Sequence, residues 1–275
     1  METSLTQISI QKIADGIIHT FQDNLAVEEP LEIMLSYLLH QQRMEKTISI
    51  TMRTPGNDEE LATGFLFTEG IIQSKEQLAI STTIAVSENK VLVTLNENAS
   101  PHLQQSDRNF YTTSSCGVCG KSSIDAIRTV SPFQQKTDDI RIASEIFTTL
   151  SDTLQKQQTL FNSTGGLHAS ALFDLAGNCI TLREDVGRHN ALDKLIGHTF
   201  LQNNLPLDNH ILLLSGRASF ELIQKAVMAG IKVVVAIGAP SSLAVQLAKE
   251  NGITLIGFLR GNHFNIYAGS ERIIL

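Results

Sequence analysis

Two thiols stand three positions apart in the run Cys116-Gly117-Val118-Cys119-Gly120-Lys121. The thiolate, not the thiol, is the nucleophile. Glycines beside the sulfurs leave them unshielded and the backbone free to move. Lys121 and a following helix start favour the anion. Such a segment suits a sulfur atom accepted on Cys116, with Cys119 placed to stabilise or resolve what forms there. The spacing also fits half of a zinc site, which His168 and His189 could complete in the absence of a second cysteine pair. It fits a thioredoxin-like dithiol as well, although that motif usually follows a strand in a βαβ unit. Inert burial is the usual fate of lone cysteines, but it suits poorly a stretch flanked by Ser114, Ser115 and glycines. Cys179, at the start of an expected strand, reads as that inert kind. Three cysteines in all do not make a disulfide framework.

A second set of residues lies where strands are expected to end. One strand closing at Leu182 runs into Arg183-Glu184-Asp185-Val186-Gly187-Arg188-His189, and one closing at Leu214 runs into Ser215-Gly216-Arg217. Another near Ala236 leads to Ile237-Gly238-Ala239-Pro240, and one closing at Gly257 leads to Phe258-Leu259-Arg260-Gly261-Asn262-His263. Each offers glycine for close backbone approach and three of the four offer arginine. Ligands of open α/β sheets bind at the carboxyl ends of strands. Helix starts favour anions, and guanidinium forks match phosphate oxygens. These loops imply a crevice for a phosphate-bearing ligand, with a nucleotide as the natural candidate. His168 and His189 could hydrogen-bond such a ligand or carry protons. The plainer alternative pairs Arg183 and Arg188 with Glu184 and Asp185 as surface salt bridges.

Elements of two kinds must position these groups. Up to about residue 113 the pattern is mostly strands. Ile8, Ile10 and Ile13 begin an apolar pattern, and Leu31, Ile33, Leu35 and Ile48, Ile50, Met52 alternate. A helix capped at Asn57-Asp58 runs to Gly70, and strands follow over 79–86 and 91–95. From residue 144 strands alternate with helices. Helices are expected over 144–160, 186–200, 218–229 and 241–250, and strands over 167–173, 179–182, 211–214, 232–236, 254–257 and 264–267. That alternation implies a mostly parallel sheet covered on both faces.

The 275 residues have an ordinary globular composition, with 42% hydrophobic and 18% charged residues. A net charge of -7 argues against general nucleic-acid binding. No apolar run approaches the roughly 20 residues that span a bilayer. The polar start, without a cationic and then apolar stretch, does not read as a signal peptide. The expected compartment is therefore the cytoplasm.

Several stretches together resemble the formate dehydrogenase accessory sulfurtransferase family, FdhD. They include Glu29-Pro30-Leu31-Glu32-Ile33, Met52-Arg53-Thr54-Pro55-Gly56 and Glu60-Leu61-Ala62-Thr63-Gly64-Phe65-Leu66. The cysteine loop, Gly165-Gly166-Leu167-His168-Ala169-Ser170, the 183–192 segment, Ser215-Gly216-Arg217 and the 258–267 segment complete the resemblance. It implies that a cysteine desulfurase delivers sulfur to Cys116, assisted by Cys119. The sulfur then passes to a molybdenum or tungsten cofactor carrying two pterin–guanine dinucleotides, Mo-bis(molybdopterin guanine dinucleotide), which formate dehydrogenase requires. GDP would serve as a smaller analogue of that ligand. Phe258, Leu259, Arg260, Gly261, Asn262 and His263 would belong to the cofactor-binding segment. Arg188, His189, Ser215, Gly216 and Arg217 join them from the strand-end argument.

The resemblance further implies a homodimer and an α/β fold. Its C-terminal domain, over 143–275, would be three-layered and similar to cytidine deaminases, with a mixed, mostly parallel sheet. A smaller β-rich domain would occupy 1–113, and the cysteine loop and linker 114–142. Zinc-dependent deamination itself is disfavoured. It needs a His-x-Glu and Pro-Cys-x-x-Cys arrangement, whereas Arg188-His189-Asn190-Ala191 lacks the glutamate and no cysteine follows Cys179. A cofactor-binding chaperone that moves no sulfur is the non-enzymatic alternative.

Overall fold

The computed structural model describes residues 4–79, 84–87, 89–103, 129–133 and 138–275. Cys116, Cys119 and the helix start expected after Lys121 lie outside the described residues. In the first part, β1 (Leu5–Ala14) and β2 (Ile17–Ala26) form a separate antiparallel hairpin. β3 (Glu29–Leu39) and β4 (Gln42–Arg53) lead into α1 (Asp58–Thr68), followed by β5 (Ile84–Ser87) and β6 (Lys90–Thr94). The last four strands make one sheet in the order β4-β3-β6-β5. Alternation places Leu31, Ile33 and Leu35 of β3 in the core, as their spacing requires. Asn57 precedes α1 but does not cap it with its side chain. It sits in the left-handed region at φ 58, and only its carbonyl holds the helix, accepting from Leu61 N–H at 2.9 Å.

The second part opens with β7 (Ile142–Ala143), α2 (Ser144–Gln157) and α3 (Thr159–Thr164). The hairpin β8 (His168–Asp174) and β9 (Cys179–Asp185) comes next, then α4 (Arg188–Leu201). Strands and helices then alternate through β10 (His210–Leu214), α5 (Phe220–Met228), β11 (Val233–Ala236), α6 (Ser242–Glu250) and β12 (Thr254–Arg260). β13 (His263–Ala268) follows, and β14 (Ile273–Ile274) pairs with β7. The main sheet has the order β13-β12-β11-β10-β8-β9.

This sheet is mixed, but the expectation of mostly parallel pairing needs correction. Only β10, β11 and β12 pair in parallel. β8 is antiparallel to both of its neighbours, and β13 is antiparallel to β12. The reason lies in the connections. Tight turns join β8 to β9 and β12 to β13, and only antiparallel strands can be joined without a crossover.

Cores lie on both faces of the sheet. Leu172, Leu212, Leu214, Val234 and Leu255 join residues of α1, α4, α5 and α6 in one cluster. Ala171, Phe173, Leu213, Val235 and Ile256 pack with Phe147, Leu150 and Leu154 of α2 on the other. The first cluster also takes in Leu31, Ile33, Val91 and Val93 of the small sheet, so one apolar core runs through both parts. Among the described residues, no helix is long and apolar enough to cross a membrane.

The two parts meet where α1 crosses α4. A Cβ at Gly64 would lie 1.9 Å from the Asp193 carbonyl oxygen, and one at Gly197 would lie 1.8 Å from that of Glu60. The helix backbones touch there, which any side chain would forbid. Nearby, Lys225 of α5 is buried against Asp193 of α4 at 2.9 Å and Thr68 of α1 at 2.9 Å, which ties three helices together. Replacing Gly64 or Gly197 with alanine is expected to lower unfolding free energy by at least about 2 kcal/mol. Urea denaturation reads this directly, and unchanged midpoints in both variants would contradict the close crossing.

Candidate functional site

Strand direction assembles the site. β9, β10, β11 and β12 point the same way, so their final residues share one edge of the sheet. β8 and β13 run the other way, which brings their first residues, His168 and His263, to that edge. His168 pairs with Asp185, and Arg260 pairs with His263. All four expected strand-end segments therefore converge.

Backbone pairing continues beyond the strands. Ser215 N–H donates to Ala169 O at 3.0 Å, while Ser215 Oγ accepts from Ala169 N–H at 2.8 Å. Ile237 N–H reaches Leu214 O at 3.0 Å, Gly238 N–H reaches Gly216 O at 2.9 Å, and Phe258 N–H reaches Gly238 O at 3.1 Å. The loops thus form a continuous shelf. At Gly238 a Cβ would lie 3.1 Å from the Arg217 backbone nitrogen, so a larger residue there would press the two loops apart by a few tenths of an ångström.

The arginines differ in their partners. Arg53 is held by both oxygens of Asp58, Arg183 by both of Glu60, and Arg272 by both of Asp138. Arg188, Arg217 and Arg260 make no ion pair with a described carboxylate. Arg188 Nε is buried with no hydrogen-bond partner among the described residues. Arg217 and Arg260 are exposed. Arg188 opens α4, whose preceding residue, Gly187, supplies no side-chain cap to the first-turn N–H groups. Uncapped N–H groups and unneutralised guanidinium groups together favour an anion.

His168 reports the same field. Its burial and the Arg188 charge hold its pKa below the usual histidine range, with Asp185 opposing and Arg217 adding to the effect. Phe258 stands out by its backbone. It is a bulky residue at φ 55, within the register shift between Gly257 and Arg260, and its side chain is 43% exposed. A non-glycine residue held there costs on the order of 1–3 kcal/mol, and such strain clusters at functional sites.

Several expected details change. β9 extends to Asp185 rather than ending at Leu182, so Arg183 and Glu184 are strand residues. The plainer pairing does not form. Arg183 binds Glu60 and contacts His198 Nδ1 at 2.8 Å, while Glu184 accepts from the N–H groups of Leu160 and Phe161. Asp185 pairs with Lys194 at 2.7 Å. β12 likewise reaches Arg260, and the Leu259 side chain is buried in the α2-side core. Leu259 therefore offers the crevice only backbone. His189 is buried at the start of α4, while Gly261, Asn262 and His263 are exposed at the β12–β13 turn. Sequence reasoning missed Thr54, Asn190 and Lys194 behind the site. Thr54 lies in the stretch at 52–56 and Asn190 in the 183–192 segment, both part of the sequence resemblance without a role of their own, while Lys194 carries no such signal.

A mixed α/β protein with an arginine-bearing, glycine-lined sheet edge is the class that this fold and site define. Residues 26–274 match the model of the FdhD/NarQ family. The chain is 47% identical over 272 residues to the sulfur carrier protein FdhD of Streptomyces coelicolor, covering 96% of this chain and 94% of that protein. It is 49% identical over 258 residues to the protein of the same name from Mycolicibacterium paratuberculosis, covering 91% and 92%. A crystal structure from Desulfotalea psychrophila, described as a formate dehydrogenase accessory protein, superposes with a TM-score of 0.74. At 22% identity over 99% of this chain and 100% of that one, it supports the fold. The chain belongs to the FdhD/NarQ family.

The His168 shift predicts a pH dependence. A histidine whose folded pKa lies below its unfolded value of about 6.5 takes a proton more readily in the unfolded chain. Its stability contribution is complete above about pH 6.5 and is lost as pH falls through the folded pKa. Urea stability measured from neutral to mildly acidic pH should decline less in His168→Asn than in wild type. His210, also held low, first by burial, accounts for part of the decline that remains. Equal slopes would contradict the assignment to His168.

Proposed function

We propose that this chain carries sulfur as a persulfide on Cys116 and delivers it to a molybdenum or tungsten cofactor with two pterin–guanine dinucleotides, for use by formate dehydrogenase. The observation that carries the reading is the set of arginines without a carboxylate partner among the described residues, Arg188, Arg217 and Arg260, on one glycine-lined sheet edge. Family membership supports the sulfur step, since relatives are named sulfur carriers.

The Cys116 thiolate attacks the outer sulfur of a persulfide on a cysteine desulfurase. The donor S–S bond breaks, a new one forms on Cys116, and the desulfurase thiolate leaves. The guanine dinucleotide cofactor is the substrate on which the sulfur is deposited. Its phosphates lie against Arg188, Arg217, Arg260 and the first turn of α4. Ser215 and Gly216 line the shelf, while Phe258 presents an aromatic face to a base. The 258–263 turn encloses the ligand, with Arg260, Gly261, Asn262 and His263 exposed toward it. Attack of Cys119 on the Cys116 sulfur releases the terminal sulfur to the metal as sulfide and leaves a Cys116–Cys119 disulfide, which a cellular dithiol reduces. His168 and His189 hydrogen-bond the ligand or carry protons. The same reading includes a cytidine-deaminase-like scaffold, a homodimer and a cytoplasmic location.

Incubation with a cysteine desulfurase and cysteine, followed by intact-protein mass spectrometry, tests the sulfur step. Wild type is expected to gain the mass of one sulfur, and Cys116→Ala to gain none. Intact GDP binding without any gain in wild type would favour a cofactor chaperone instead. Separately, Arg188→Ala should weaken GDP by roughly tenfold, the cost of one charge-assisted phosphate contact. Calorimetric titration checks this, and an unchanged affinity would remove Arg188 from the site.

A further inference from the structure

The stretch Met52-Arg53-Thr54-Pro55-Gly56 stands out in the sequence without any chemistry of its own. In the fold it is the end of β4 and the start of the turn to α1, and it lies against the turn between β9 and α4. Thr54 contributes three groups to that contact. Its N–H donates to Asp185 Oδ2 at 3.2 Å, its Oγ1 accepts from Val186 N–H at 3.2 Å, and its carbonyl accepts from Lys194 Nζ at 2.8 Å. Met52 O accepts from Asn190 Nδ2 at 2.8 Å, and Thr51 Oγ1 donates to Asn190 Oδ1 at 3.1 Å.

Asp185 closes the arrangement from the other side. Its Oδ2 pairs with Lys194 Nζ at 2.7 Å. Its Oδ1 accepts from Gly187 N–H at 2.8 Å and from Asn190 Nδ2 at 3.1 Å. Thr54, Asp185, Asn190 and Lys194 are 1%, 0%, 4% and 1% exposed. Behind the turn, Arg53 is locked onto Asp58 at 3.0 and 2.8 Å and onto Glu29 at 3.3 Å.

A buried ion pair is weak evidence for stability, because desolvation offsets its attraction. What a fully satisfied buried network does supply is a single geometry. Here that geometry fixes the chain from Asp185 to Asn190 on both sides of Arg188. Arg188 itself bonds to none of these groups, and its Nε is left without a partner among the described residues. The network therefore orients the first turn of α4 and leaves the arginine free for something else.

We infer that Thr54, Asp185, Asn190 and Lys194 form a clasp that positions Arg188 and the uncapped start of α4 for an anionic group, which makes the 52–56 turn a positioning element of the crevice. The inference rests on the anion-binding reading of the sheet edge. None of the four residues touches the ligand. Their effect passes through Arg188, so it should vanish when Arg188 is absent.

GDP affinity in wild type, Thr54→Val, Thr54→Ser, Arg188→Ala and the Thr54→Val/Arg188→Ala double variant tests this by calorimetry. Thr54→Val removes the hydroxyl that holds Val186 N–H and is expected to weaken GDP about fivefold. Thr54→Ser should restore wild-type affinity. In the double variant the valine should add less than about twofold to the loss from Arg188→Ala, because the two act as one unit. General destabilisation moves the unfolding midpoint and does not produce that coupling. If Thr54→Val does not fold, Asn190→Ala takes its place in the same cycle. Wild-type affinity in Thr54→Val beside a weakened Arg188→Ala, or simple additivity of the two losses, would overturn the positioning role alone. Wild-type affinity in Arg188→Ala would overturn the anion crevice, and the clasp's purpose with it.

Discussion

Positive charge without internal compensation is the constraint around which this molecule is arranged. The chain is acidic overall, at -7, yet three guanidinium groups at one sheet edge lack carboxylate partners among the described residues. Arg53, Arg183 and Arg272 are by contrast neutralised closely, while Arg43 and Arg141 each donate to a backbone carbonyl. Like charges gathered on one sheet edge repel, and an anion placed among them would relieve the repulsion. The depressed pKa of His168 comes first from burial and then from the same field.

Holding such a site open requires a rigid frame, and the frame comes from both parts of the chain. The contact of α1 with α4 at Gly64 and Gly197 sets helix α4 at a fixed depth. The buried Asp193–Lys225 pair links α4 to α5, which follows the β10 loop bearing Arg217. The Thr54–Asp185–Lys194 network ties the start of α4 to the small sheet. These contacts explain why the first part of the chain, which supplies no group to the crevice among the described residues, is so deeply joined to the second.

Much of this was legible in the sequence, and the failures have physical causes. β10 and β11 were plain because uninterrupted apolar runs bounded by glycine and serine read as buried strands. The convergence of the strand-end loops followed from that pattern alone. β9 was read three residues short because Arg183, Glu184 and Asp185 resemble loop residues. They remain in the sheet because Glu60, the N–H groups of Leu160 and Phe161, and Lys194 meet them from distant positions. No local signal announces partners more than a hundred residues away, such as Glu60 for Arg183. The 258–263 segment is legible as a unit, but the inward turn of Leu259 depends on the register shift between Gly257 and Arg260, which sets Leu259 on the same face as Ile256. Asn57 was read as a side-chain cap, but its left-handed backbone takes the side chain away from that task.

The most direct test of the central claim is a crystal structure of the protein with GDP bound. The account predicts the diphosphate within hydrogen-bonding distance of Arg188 and the first-turn N–H groups of α4, with Arg217 or Arg260 on a remaining phosphate oxygen. A nucleotide bound elsewhere, with those three arginines turned to solvent, would contradict it.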